Sequence, residues 1–277
     1  MSRRTLLAAA ASLSLGGCSS EPAASDGVVQ VRYGDDESQI AELHLPPGTA
    51  TVPVAVVIHG GFWQSAYGMS LATPLAADLA RNGIAGYAIE YRRVGNGGGW
   101  PATFEDVAAA IDALADQPRV ELGKVVAIGH SAGGHLAVWA AGRSALPPAA
   151  PGAAPRVQLR GAVSQAGVLD LAAAHREQVG GSAVQELLGG TPDSDPDRYA
   201  LASPIERLPL KVPIALVHGT RDAAVPLSQS QSYLAAARKV GDPVTLKELA
   251  HVGHFELIDP RDEAWHTCRA EATRLLS

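Results

Sequence analysis

From Val28 onward, short runs of β-branched and apolar residues alternate with longer stretches in which apolar positions recur every three or four residues. The runs Val28–Tyr33, Ile40–Leu45, Val52–Ile58, Ile84–Tyr91, Lys124–Gly129, Arg160–Gln165, Val212–His218 and Val244–Leu249 are predicted strands. The helical period predicts helices over Ser70–Arg81, Phe104–Asp116, Ala132–Arg143, Leu227–Lys239 and Asp262–Leu276, with Thr103 and Asp106 spaced as a capping pair for the second. This alternation predicts an α/β fold with a mostly parallel eight-stranded sheet and helices on both faces. The first two strands, joined by the polar turn Gly34–Ser38, predict an antiparallel edge. Two segments interrupt the rhythm: residues 144–155, rich in Pro and Ala, predict a surface loop, and residues 170–204 predict a short cap-like insertion placed to overhang a site.

The N-terminus follows another pattern. Arg3 and Arg4 precede an apolar run from Leu6 to Leu15 and then small residues, the layout of a secretory signal over residues 1–17. The run is too short to span a bilayer as a stable helix. Leu15-Gly16-Gly17-Cys18 resembles a bacterial lipobox, which implies that Cys18 is lipidated and that residues 18–27 tether a domain spanning 28–277 to the outer face of a bacterial membrane. Ser2–Leu7 resembles a twin-arginine export signal. The competing reading is a simple cleaved signal with an incidental cysteine. With Cys18 lipidated, Cys268 has no partner for a disulfide, and its apolar surroundings predict a buried small hydrophobe.

A chain of 277 residues that is 47% hydrophobic is enough for one large core. A net charge of −6 with no basic stripe argues against nucleic acid and for a small-molecule partner. No His, Cys and acid cluster has metal-ligand spacing, so neither metal nor cofactor is expected.

The chemistry is concentrated at predicted strand ends. Gly129-His130-Ser131-Ala132-Gly133 follows the fifth strand and opens an Ala-rich helix, the context in which Gly-x-Ser-x-Gly forms a sharp turn presenting a nucleophile. A serine needs a base to take its proton and an acid to orient that base. Asp222 follows the seventh strand, and the loop after the eighth offers His251 and His254. His254, between Gly253 and Phe255 and leading into the last helix, is the preferred base. His59-Gly60-Gly61-Phe62-Trp63 follows the third strand, so the N–H groups of Gly61, Phe62 and Ala132 are candidates for an oxyanion hole. His59 reads as a structural brace of that loop. Trp63 either lines an acyl pocket or plugs the core. Gly95–Trp100 lacks the lysine and strand-to-helix context of a phosphate loop and reads as a pocket edge. Trp63, Trp100 and His130 are thus the candidate substrate-binding side chains.

These motifs resemble those of α/β-hydrolase-fold serine hydrolases over nearly the whole of residues 28–277. His-Gly-Gly-Phe-Trp with Gly-His-Ser-Ala-Gly-Gly-His-Leu-Ala is similar to the esterase/lipase and arylformamidase branch and to prolyl-oligopeptidase-like catalytic domains, which Ala202–Leu208 also resembles. Phe62 stands where hormone-sensitive-lipase-like esterases carry a third glycine, a departure that weakens the expectation of bulky-alcohol esters. The resemblance implies a carboxylic ester hydrolase working through Ser131, Asp222 and His254. An arylformamidase or small-amide or peptide hydrolase is the nearest alternative, and an inactive hydrolase-fold binding lipoprotein is an alternative of another class.

Overall fold

The computed structural model describes residues 27–277. The signal, the lipobox and all but the last residue of the tether lie outside the described residues. Eight strands form one sheet: β1 (Val28–Arg32), β2 (Ile40–His44), β3 (Val52–Ile58), β4 (Ala85–Ile89), β5 (Val120–His130), β6 (Ala162–Gln165), β7 (Ile214–Gly219) and β8 (Val244–Leu249). Their spatial order is β1-β2-β4-β3-β5-β6-β7-β8. β1 pairs antiparallel with β2, and β2 with β4, while every other pairing is parallel. This is the mostly parallel sheet with an antiparallel edge that the alternation predicts.

The central strands are buried on both faces, as parallel strands covered by helices must be. Val54, Val56 and Ile58 of β3 enter one core, and Ala55 and Val57 enter the other. The first core packs beneath α2 (Ala102–Asp112), α3 (Ala132–Ala141) and α7 (Ser228–Lys239), and the second beneath α1 (Thr73–Arg81) and α8 (Glu263–Leu276). Cys268 of α8 is fully buried in that second core, and burial pushes its thiol up to about 12.

The differences from expectation have local causes. β5 begins at Val120 rather than Lys124 because Val52 of β3 pairs with Val120 across an irregularity. Thr103 and Asp106 do not cap α2, whose N-cap is Pro101 with no side-chain bond. Thr103 Oγ1 donates to the Arg92 carbonyl at 2.6 Å, and the buried Asp106 carboxylate grips the Arg92 guanidinium through two bonds of 2.7 and 2.8 Å. The spacing serves a loop distant in sequence rather than the helix itself. Residues 170–204 hold three short helices, α4 (Leu171–Arg176), α5 (Ala183–Leu188) and α6 (Pro196–Ala202).

Candidate active site

The carboxyl ends of β3, β5, β7 and β8 deliver the chemically distinctive side chains to one edge of the sheet. Ser131 joins β5 to α3 with φ 55° and ψ −119°, a backbone state that costs a non-glycine residue about 1–3 kcal/mol and must be held from outside. The Ser131 N–H donates to Gln165 O at 2.8 Å. Gly129 and Gly133 flank the corner because the backbones touch: a Cβ on Gly129 would lie 1.9 Å from Gly133 O, and one on Gly133 would lie 2.1 Å from Ile58 O. The serine therefore sits at the N-terminus of a ten-residue helix, where developing negative charge is favoured.

Asp222 and His254 come together after β7 and β8. His254 Nδ1 donates to Asp222 Oδ2 at 2.6 Å, and both side chains are almost completely buried. Asp222 Oδ1 accepts the backbone N–H groups of Ala224 and Val225, each at 2.8 Å. Burial works against ionisation of Asp222, but hydrogen bonding from His218, His254 and the Val225 N–H outweighs it and holds the carboxyl far below the ordinary carboxylate range. Of the two imidazoles, His254 makes the closer contact, since His218 Nε2 is 3.5 Å from the carboxylate and bonds Val225 O at 3.0 Å. With Nδ1 committed to Asp222, Nε2 is the His254 ring nitrogen without a protein partner among the described residues. His251 is exposed and outside this cluster.

His254 and Ser131 line one cavity of about 90 Å³. Its remaining walls are His130 and the apolar surfaces of Gly61, Phe62, Tyr67, Leu71, Ala224, Phe255 and Ile258. Among the described residues the Ser131 hydroxyl has no hydrogen-bond partner; such contacts are often loose before substrate binds. Two larger surface grooves, of about 790 and 620 Å³, are lined by other residues and hold none of this chemistry.

The His59–Trp63 loop carries an unusual run of left-handed residues, Gly61 (φ 113°), Phe62 (φ 50°) and Trp63 (φ 57°). It is braced on several sides. Gln64 N–H bonds Gly61 O and Val94 N–H bonds Trp63 O, both at 2.9 Å. The Gln64 side chain donates to Glu186 of α5 at 2.6 Å, and the Phe62 ring lies against Gly180. Among the described residues the N–H groups of Gly61, Phe62 and Ala132 meet no protein acceptor. Gly61 and Phe62 line the cavity, whereas Ala132 is buried directly behind Ser131.

The predicted substrate-binding side chains separate. His130 lines the cavity and donates Nε2–H to the His254 carbonyl at 2.9 Å, tying the serine corner to the histidine loop. Burial, with His254 beside it, pushes the His130 imidazole down to about 3 and keeps it neutral. Trp63 is 1% exposed, and its indole N–H donates to His135 in the core, so it plugs the core and does not face the cavity. Trp100 packs on Phe104 and lines the 620 Å³ groove instead. Residues 170–204 contribute no wall to the cavity over Ser131; they buttress the Phe62 loop from behind.

Sequence reasoning passes over Glu90, which organises that loop. Its carboxylate accepts His59 Nε2–H at 2.9 Å and the Met69 N–H at 2.8 Å, and Tyr91, stacked on His59, donates its hydroxyl to His59 O. Burial opposes its ionisation, but His59, Met69 and Arg93 together hold it below its ordinary value. The available signal is an acid placed directly after the wholly buried β4, at the same sheet edge as the other site residues.

Residues 41–236 match the BD-FAE family model. Esterase LipC of Mycobacterium tuberculosis is 29% identical over 246 residues, covering 83% of this chain and 60% of its own length. A probable carboxylic ester hydrolase of the same organism, LipM, is 30% identical over 224 residues, covering 76% of this chain and 51% of its own. The chain thus spans between about half and three-fifths of these relatives' length. Among solved structures, a truncated carbohydrate esterase from gut microbiota superposes with a TM-score of 0.78 at 22% identity, over 91% of this chain and 98% of that one. Propionate-bound Est2 from Thermogutta terrifontis gives 0.70 at 23% identity, over 90% and 93%. Both share this fold.

Proposed function

The chain belongs to the BD-FAE family of α/β hydrolases, and we propose that it is a serine esterase cleaving a small carboxylic ester through an acyl-enzyme on Ser131. The observation that carries this reading is the 2.6 Å His254–Asp222 pair opening into the same apolar cavity as Ser131. The relatives named as esterases agree with it.

In the first half-reaction Ser131 Oγ attacks the ester carbonyl carbon while its proton passes to His254 Nε2. The carbonyl oxygen takes up the negative charge and is held by the N–H groups of Gly61, Phe62 and Ala132. Collapse breaks the bond to the alcohol oxygen, which leaves with the proton from His254. Water then attacks the acyl-enzyme, giving its proton to His254, and the carboxylic acid departs as Ser131 recovers a proton. Asp222 keeps the imidazole in the required tautomer and stabilises its charged form. His130 keeps the histidine loop at the serine corner. The cavity over Ser131 is small and mostly apolar, which fits a small ester. The same groups can act on a formamide, so the substrate panel must include one. We further read the protein as exported and anchored through lipid on Cys18, a residue outside the described part.

The test is fluorophosphonate labelling of the purified protein, with turnover of nitrophenyl esters of increasing acyl length and of N-formylkynurenine. Ser131→Ala should abolish labelling, and both Ser131→Ala and His254→Ala should lose turnover by about 10⁴-fold or more, Asp222→Asn somewhat less. An unlabelled wild type points to an inactive binding scaffold. Formamide turnover far above that of every ester points to an arylformamidase.

A further inference from the structure

We propose that Phe255 and Tyr67 form an aromatic subsite for the alcohol half of the substrate, selecting esters of a flat, apolar alcohol such as an arylmethyl alcohol. The inference rests on the esterase reading above and goes beyond it by assigning the leaving group.

Only five large hydrophobic side chains among the described residues are exposed, and two of them, Phe255 at 66% and Tyr67 at 48%, line the Ser131 cavity. Neither ring sits on a loose backbone. The Tyr67 carbonyl accepts from the Arg93 guanidinium, and its N–H bonds Gln64 O at 3.3 Å. The Phe255 carbonyl accepts the Ile258 N–H at 3.1 Å. The rings are held out toward solvent by ordered main chain, the arrangement expected of a surface that is covered when ligand arrives.

The reaction decides which half of the ester they meet. The departing alcohol oxygen must take its proton from His254 Nε2, so the alcohol lies against the His254 ring. Phe255 is the next residue, and its ring stands edge-on to that imidazole at 5.3 Å between centroids and 82° between planes. Tyr67 borders the cavity from the loop that would hold the oxyanion: its ring is so close to Gly61 that a Cβ there would lie 2.5 Å from Tyr67 Cγ. An alcohol leaving the cavity therefore passes between two aromatic walls. No charged or amide side chain lines the cavity: His130 Nε2 is bonded to the His254 carbonyl, Ser131 and His254 are taken up by the reaction itself, and the exposed Tyr67 adds one hydroxyl to otherwise apolar walls. Beyond the single Tyr67 hydroxyl, a polyhydroxylated alcohol finds no side-chain partners in this lining, while a planar apolar ring finds two faces to stack on.

The experiment compares benzyl acetate with n-butyl acetate, two esters of the same acid with similarly basic leaving groups, alongside an acetylated monosaccharide. In Phe255→Ala the ratio of kcat/KM for benzyl to that for butyl acetate should fall about tenfold, mainly through KM, with a smaller fall in Tyr67→Ala. Phe255→Trp should keep the benzyl preference. An unchanged ratio in Phe255→Ala, whose exposed position makes misfolding easy to exclude by thermal melting, overturns the proposal. So does a loss confined to the acetylated sugar. A wild type that hydrolyses none of the three and takes no fluorophosphonate on Ser131 fails at the esterase reading itself, a result distinct from the other two.

Discussion

His135 lies in the first turn of α3, fully buried, with both ring nitrogens used. Nδ1 accepts the Trp63 indole N–H at 3.2 Å and Nε2 donates to Ala202 O at 2.9 Å, so one neutral imidazole clips together the serine helix, the Phe62 loop and the end of α6. Protonation removes the acceptor and leaves a charge in an apolar site. Burial accordingly pushes His135 down to about 4 from its ordinary 6.5, and His130 down to about 3. A group whose folded pKa lies below its unfolded one gives its full stabilisation above the unfolded value and loses it as pH falls through the folded one. For His135 the loss begins near pH 6.5 and is complete near pH 4, and amounts to about 3 kcal/mol. Urea unfolding between pH 7 and 4.5 should therefore show stability falling before most carboxylates titrate. In His135→Gln, whose amide can still accept from Trp63 and donate to Ala202, the fall should be visibly shallower. An identical pH slope in the two proteins rules out this role.

At the scale of elements, α3 is decisive, because all ten of its residues are buried and its glycines let it press against the end of β3. Two effects compete in Gly133→Ala. Helix propensity favours alanine by about 1 kcal/mol, but the new methyl would lie 2.1 Å from Ile58 O and 2.5 Å from His59 O. Overpacking against main chain costs about 1–3 kcal/mol or more and displaces the start of the His59–Trp63 loop, so the net effect is destabilising. Gly133→Ala should melt several degrees lower and lose ester turnover, whereas Gly123→Ala, with open space around it, should do neither; equal melting temperatures count against the packing account. The same element shows what is legible in sequence. All eight strands, the elbow and the strand-end positions of Asp222 and His254 follow from periodicity and chain order. The helices α4 to α6 do not, because six or seven residues are fewer than two turns and carry too little periodicity. Thr103 and Asp106 mislead because identical spacing serves Arg92, and Glu90 is silent because His59, its partner, is 31 residues away in the chain.

For the whole molecule, the sheet begins at Val28, and the site depends on strand ends from β3 to β8, far along the chain from the N-terminal segment. Among the described residues no helix is long and apolar enough to cross a membrane, and the proposed anchor rests on Arg3, Arg4, the apolar run to Leu15 and the resemblance of Leu15–Cys18 to a lipobox. On the anchoring and esterase readings proposed above, attachment through that segment and catalysis by the folded part should therefore be separable. Full-length protein expressed in a bacterial host should enter the detergent phase on phase partitioning, with lipid on Cys18 by mass spectrometry, since two acyl chains bind membrane far more durably than one. Cys18→Ser should move the protein to the aqueous phase while its turnover of a soluble ester, per folded molecule, stays at the wild-type value. Wild-type protein that stays in buffer with an unmodified Cys18 replaces anchoring with simple secretion. A Cys18→Ser variant that stays soluble and folded but loses turnover contradicts the separation of anchor from site.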